Sequence, residues 1–187
     1  MPLRFDQRLE RLHARLRELE FWRARETLDI HGWRFQGEPI ALGAPWPRRE
    51  GLARLEASAA VPEGWPLEEA RLALNVGGES LLTLTYESGE AASFGLDPHH
   101  QEFPLGERRF AIRAESVARR PFGEPVRDPR LQRAALVRLD LAVCRLSRLL
   151  GLVVDAAETL RAHEAAPHLI EAAEAALRAN RVSPSLQ

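Results

Sequence analysis

Residues 70–89, ARLALNVGGESLLTLTYESG, decide the fold class. Leu72, Leu74 and Val76 fall on one face by a period of two, and Leu82, Leu84 and Tyr86 do the same with Thr83 and Thr85 facing the other way. A strand produces this alternation because successive side chains point to opposite sides of the backbone. Between the two runs, Asn75 to Gly78 reads as a turn, in which Gly77-Gly78 supply the positive backbone angles that a hairpin requires. The stretch therefore predicts two antiparallel strands joined by a tight turn.

Working outward, the same grammar repeats. From Gly32, proline and glycine recur at Gly37, Pro39, Gly43, Pro45, Pro47 and Gly51, a density that breaks helices and marks turns. Arg54 to Val61 alternates and is closed by Pro62-Glu63-Gly64-Trp65-Pro66. Downstream, Ser88-Gly89 and Asp97-Pro98 bound short strands at Ala91 to Gly95 and Glu102 to Leu105. Phe110, Ile112 and Ala114 alternate in a longer strand that ends before Pro121, and Ala134 to Asp140 adds another after a turn at Arg127 to Arg130. Roughly six to eight short strands with turn signals about every ten residues predict an antiparallel β-sandwich or jelly roll.

Both ends of the chain change period. Leu9, Leu12, Leu16 and Leu19 recur at three- and four-residue steps and predict an amphipathic helix from Arg4 to Leu28, its mixed charges forming a solvated surface. After Asp140, the residues Leu146, Leu149, Leu150, Val153, Ala157 and Leu160 share a helical face. Glu164 to Asn180 repeats the pattern with Leu169, Ile170, Ala173 and Leu177, and Pro167 stands near its start, where proline is tolerated. The expected chain is mainly β with flanking helices, an α+β arrangement: an N-terminal helix over 1–30, the sandwich over 31–140, and a C-terminal helical hairpin and tail over 141–187. Two Ala-rich helices at the chain end read as a bridge toward a further domain.

Composition bounds the partners. With 45% apolar and 28% charged residues among 187, the chain belongs with ordinary globular proteins. A net charge of -1 provides no field to gather phosphate backbones, so nucleic acid is not an expected partner. All 26 basic residues are arginine. No apolar run approaches the ~20 residues of a membrane span, and Met1 to Glu20 alternates Arg and Glu with Leu in place of a signal peptide's apolar centre. No membrane association and a cytoplasmic location are expected. The single cysteine, Cys144, has no partner for an internal disulfide and reads as a small buried thiol.

Several motifs carry a resemblance. Gly37-Glu38-Pro39-Ile40 with Gly43 and Pro45-Trp46-Pro47, followed by Val61-Pro62-Glu63-Gly64-Trp65, resembles the N-terminal domain of family 38 glycoside hydrolases, the vacuolar-type and bacterial α-mannosidases. Leu81 to Gly89, Asp97-Pro98-His99-His100-Gln101-Glu102-Phe103, and Glu115 followed by Phe122-Gly123 are similar to the same family in the same order. The likeness spans roughly Gly32 to Leu160. It implies a non-catalytic sandwich that packs against an α/β barrel bearing a zinc ion and an aspartate nucleophile for retaining hydrolysis of mannosides. The implied zinc ligands begin with a His-x-His-x-Asp segment, which this chain lacks, so no cofactor is expected in it. The expected function is that of an accessory module that packs against and shapes a mannosidase catalytic domain, its partner being that domain or a second copy of the chain; the alternative is a free-standing carbohydrate-binding sandwich, which would take a mannose-containing saccharide, or an oligomerisation module.

No constellation for catalysis stands out. Retaining glycosidases need two carboxyl groups ~5 to 5.5 Å apart, but Glu87 with Glu90 and Glu68 with Glu69 read as solvated turn residues. Of the histidines, His99 and His100 are adjacent and would point apart on a strand. Sugar-binding modules stack pyranose faces on aromatic rings and bond the hydroxyls with polar side chains. The candidate substrate-binding residues are accordingly Trp46 and Trp65, in proline-bounded loops, and Asp97 and His100, in the Asp97 to Gln101 turn. Each has a structural alternative: loop tryptophans also plug the open ends of sandwiches, and an Asp-Pro turn needs no ligand.

Overall fold

The computed structural model describes residues 4–48 and 50–179. The chain divides into two compact units, one of residues up to Arg23 and from Asp140 onward, the other of Ala24–Leu139. Ten strands and three α-helices are present among the described residues, and every strand pairing is antiparallel. The fold is mainly β with flanking helices, as the alternation predicts.

The strands are β1 (Ala24–Asp29), β2 (Arg34–Phe35), β3 (Glu38–Pro39), β4 (Ala53–Ala60), β5 (Ala70–Asn75), β6 (Glu79–Tyr86), β7 (Ala91–Leu96), β8 (Glu102–Pro104), β9 (Arg109–Val117) and β10 (Arg133–Leu139). One sheet has the order β1-β10-β5-β8 and the other β3-β2-β4-β9-β6-β7. Leu72, Leu74 and Leu136 from the first and Leu55, Leu82, Leu84 and Ile112 from the second meet in one buried cluster, which makes the unit a sandwich. Apolar residues on the inner faces alternate with polar ones outside, most regularly along β9, where Phe110, Ile112, Ala114 and Ser116 are buried.

The stretch that reveals the strands misleads about their pairing. β5 and β6 do not form a hairpin; they belong to different sheets, and Asn75 to Gly78 carries the chain across the sandwich. Gly77 and Gly78 serve close approach. A Cβ on Gly77, which has φ +88°, would stand 2.3 Å from the Arg130 backbone nitrogen, and one on Gly78 would stand 2.2 Å from the Val117 carbonyl oxygen. True hairpins lie elsewhere: β6 to β7 through Gly89, and β2 to β3 through Gln36 and Gly37, both with positive φ.

The N-terminal helix is shorter than its leucine pattern predicts. It spans α1 (Phe5–Trp22), and the residues after it form β1, all six of them exposed. An exposed edge strand buries no face, so it shows no alternation to reveal it. β1 is held by its ladder with β10 and by Arg138, whose guanidinium donates to Glu26 and Glu69, each at 2.8 Å.

The helices form the second unit. α1, α2 (Leu141–Thr159) and α3 (Ala165–Ala179) share a cluster that includes Leu12, Leu19, Val143, Leu150, Val154 and Ile170. The N-terminal helix thus joins the C-terminal pair in one body, a grouping that the linear division into 1–30 and 141–187 does not contain. Asp140 caps α2 by accepting from the backbone N–H groups of Ala142 and Val143, each at 3.0 Å. Arg8 clamps Glu174 with two bonds of 2.9 Å, and Ser147 donates to Glu20 at 2.8 Å. The buried face of α2 runs through Val143, Ser147, Leu150, Val154 and Ala157, leaving the expected Leu149 and Leu160 exposed. Leucines line this helix on more than one side, so periodicity alone does not choose the face. The tail from Arg181 lies outside the described residues. No described helix is long and apolar enough to cross a membrane.

Candidate functional site

At one end of the sandwich, β7 and β9 each run into a loop, and the loops border a cleft of about 430 Å³. Asp97, Pro98 and His99 form one wall, residues 119–122 with Glu124 the other, and Asn75, Gly77, Gly78 and Gln132 contribute the base.

The Asp97 wall is rigid for a local reason. Asp97 Oδ1 accepts the backbone N–H groups of His99 at 2.7 Å and His100 at 3.0 Å, closing the turn that an Asp-Pro pair initiates. Its Oδ2 lies 2.9 Å from His100 Nδ1. These bonds, that of His100 first, hold the carboxyl below the usual carboxylate range. His100 does not line the cleft; its exposed ring acts on it only through Asp97.

The facing loop is closed on itself. Arg120 N–H donates to the Glu124 carbonyl at 2.8 Å, Gly123 N–H to the Arg120 carbonyl at 3.0 Å, and Val126 N–H to the Ala118 carbonyl at 2.9 Å. Phe122 sits at the tip with φ +74°, a left-handed conformation costly for a side chain of this size. Its ring is fully exposed, at 107% of the reference area. Arg119 Nη1 lies 3.8 Å from where a Cβ on Gly123 would stand, which puts the guanidinium beside the Phe122–Gly123 peptide. Arg120 and Glu124 approach to 3.9 Å. At the base, Asn75 donates to the Gln132 side chain at 2.9 Å and accepts from Gly77 N–H at 3.0 Å, so the two amides are oriented.

The two candidate tryptophans are core residues, each 4% exposed. Trp46 donates its indole N–H to the Val76 carbonyl at 2.7 Å and stacks its ring edge under Gly78, so it supports the cleft base from below. Trp65 lies in the turn between β4 and β5, where Arg108 donates to the Pro62 and Trp65 carbonyls at 2.8 and 3.0 Å. Neither offers a ring face to a sugar. Of the four residues singled out from sequence, Asp97 lines the cleft, His100 braces it, Trp46 underlies it and Trp65 is elsewhere in the core. The aromatic side chain exposed at the cleft is Phe122. An aromatic residue between proline and glycine, with no alternating neighbours, is the signal that marks it; nothing local marks Arg119.

Two further depressions, of about 550 and 580 Å³, lie on the outer face of the six-stranded sheet. The first has no aromatic lining, and Arg113 with Glu56 pair across it at 3.2 Å. In the second, the Tyr86 ring is covered by Gly106 and its hydroxyl accepts the Gly106 N–H at 3.0 Å. Among the described residues, no group of three or more His, Cys, Asp or Glu side chains is placed to hold a metal ion. Cys144 is half-buried and free.

No protein-family model matches the chain, and no curated protein matches it.

Proposed function

We propose that this chain is a non-catalytic carbohydrate-binding β-sandwich whose site is the cleft between the Asp97 turn and the Phe122 loop. The carrying observation is the Phe122 ring, fully exposed on a closed loop at the rim of a cleft lined by oriented polar groups. A flat apolar ring in water beside oriented amides and exposed arginine side chains matches a pyranose, which has one apolar face and a belt of hydroxyls. Chemistry on the bound sugar is not part of the reading, because the Asp97 carboxylate is engaged within its own turn and held ionised. A mannose-containing saccharide is the ligand that the family resemblance favours, and the cytoplasm is the compartment proposed from the charge-rich start of the sequence.

The test is a titration of the whole chain with mannose, mannobiose and unrelated disaccharides, followed by intrinsic fluorescence. Trp46, in contact with the cleft base, is the reporter. A saturable change that disappears in Phe122→Ala supports the reading. No saturable change with any sugar refutes it.

A second reading is an accessory module that packs against an α-mannosidase barrel or a second copy of the chain. Leu141, Leu149 and Leu152 favour it, since all three are exposed and their spacing puts them on one side of α2, with exposed Leu160 just past its end. Co-purification with a separately expressed family 38 catalytic domain, or self-association, lost in a Leu149→Glu/Leu152→Glu variant, is the expected sign. A monomer that ignores the barrel counts against it.

A further inference from the structure

The charges around the cleft are not equally engaged. Both Asp97 oxygens are taken up by His99 and His100, and Glu124 stands opposite Arg120. The guanidinium of Arg119 makes no hydrogen bond or ion pair to the described residues, although its backbone is pinned on both sides. Its N–H donates to the Val117 carbonyl at 2.7 Å, and its carbonyl accepts from Glu79 N–H at 2.9 Å. The residue thus starts from a fixed point, lines the cleft, and places its guanidinium beside the platform loop.

We infer that the saccharide held here is acidic, carrying a carboxylate that Arg119 binds while Phe122 covers the ring. This rests on the carbohydrate reading proposed above. A guanidinium presents paired N–H donors at the spacing of two carboxylate oxygens, a match that a neutral sugar's separated hydroxyls do not reproduce. The class is a uronic acid or an oligosaccharide that contains one. The five-donor fork of Arg119 then distinguishes a sugar oxidised at C6 from its parent, which differs in no other atom near the ring.

The experiment uses the full chain and two probes of one stereochemistry, mannobiose and the corresponding mannuronate disaccharide, with affinities measured by calorimetry at low and moderate salt. The mannuronate is expected to bind at least about tenfold more tightly, the ratio that a charge-assisted hydrogen bond supports, with a preference that shrinks as salt rises. Arg119→Gln should bring the two affinities together, Arg119→Lys should restore part of the difference, and Arg109→Gln, at the far end of β9, should keep it. Equal affinities in the wild-type chain, or a preference that survives Arg119→Gln, overturn the assignment of charge while leaving the carbohydrate reading intact. Absence of binding by both sugars overturns the two together.

Discussion

The indole N–H of Trp46 donates to the carbonyl oxygen of Val76 at 2.7 Å, both residues being buried, and so ties the loop before β4 to the end of β5 from inside the core. Trp33, also buried, leaves its indole N–H without a partner among the described residues. Replacing each by phenylalanine removes a similar volume but only one hydrogen bond. Trp46→Phe should therefore cost about 1 kcal/mol more than Trp33→Phe, because it orphans a buried carbonyl. Urea unfolding of the two variants measures the difference; equal losses would show that the Val76 bond contributes nothing net.

Gly78 and Gly89 sit in turns that look alike in sequence and differ in what surrounds them. Gly78→Ala drives a Cβ against the Val117 carbonyl, with the Trp46 ring 3.1 Å away, and both neighbours are fixed. A loss of about 3 kcal/mol is expected. Gly89→Ala meets nothing within 4 Å and carries only the penalty of φ +90°, about 1 kcal/mol. Thermal unfolding of the pair should rank them in that order.

Phe122 tests whether binding and stability separate. Its ring touches no core, so Phe122→Ala should leave the unfolding free energy within about 0.5 kcal/mol of wild type while abolishing saccharide-induced fluorescence change. A large loss of stability would mean that the ring packs in solution and is not a platform.

The Arg8 clamp depresses the Glu174 carboxyl, through its hydrogen bonds first and its charge next, below the ordinary value. A lowered folded-state pKa contributes stability that is fully present above the unfolded value, about 4.3, and is lost as pH falls through that value and then through the depressed one. Glu174→Gln should make the helical unit less stable at neutral pH and flatten the decline between about pH 6 and pH 3. Denaturant unfolding followed by far-ultraviolet circular dichroism across that range reads both effects. An unchanged acid slope would remove the clamp from the account.

Asp97 closes its turn with a side-chain oxygen that asparagine also possesses. Asp97→Asn should keep the bonds from His99 and His100 N–H and retain saccharide binding, whereas Asp97→Ala should lose both the turn and most of the affinity. Backbone amide shifts of His99 and His100 in a nuclear magnetic resonance titration distinguish the two outcomes.

What the sequence alone determined is local. Alternation at Leu72–Leu74 and Phe110–Ile112–Ala114, the leucine steps of α1, and the turn chemistry of Ser88-Gly89 and Asp97-Pro98 depend on neighbours within a few residues, and they revealed strands, helices and turns in nearly the right places. Asp97 was legible for the same reason, since an Asp-Pro turn is made by its own side chain. Tertiary structure alone decided what lies between distant segments. Whether β5 pairs with β6 or crosses to the other sheet depends on the backbones of Arg130 and Val117, which only a glycine lets Gly77 and Gly78 approach. β1 stayed hidden because its strand identity comes from β10, more than a hundred residues away, and not from any buried face of its own. The placement of the aromatic residues was decided in the same way: the core closed over Trp46 and Trp65, while the loop that turned Phe122 outward is built from hydrogen bonds that no periodicity encodes.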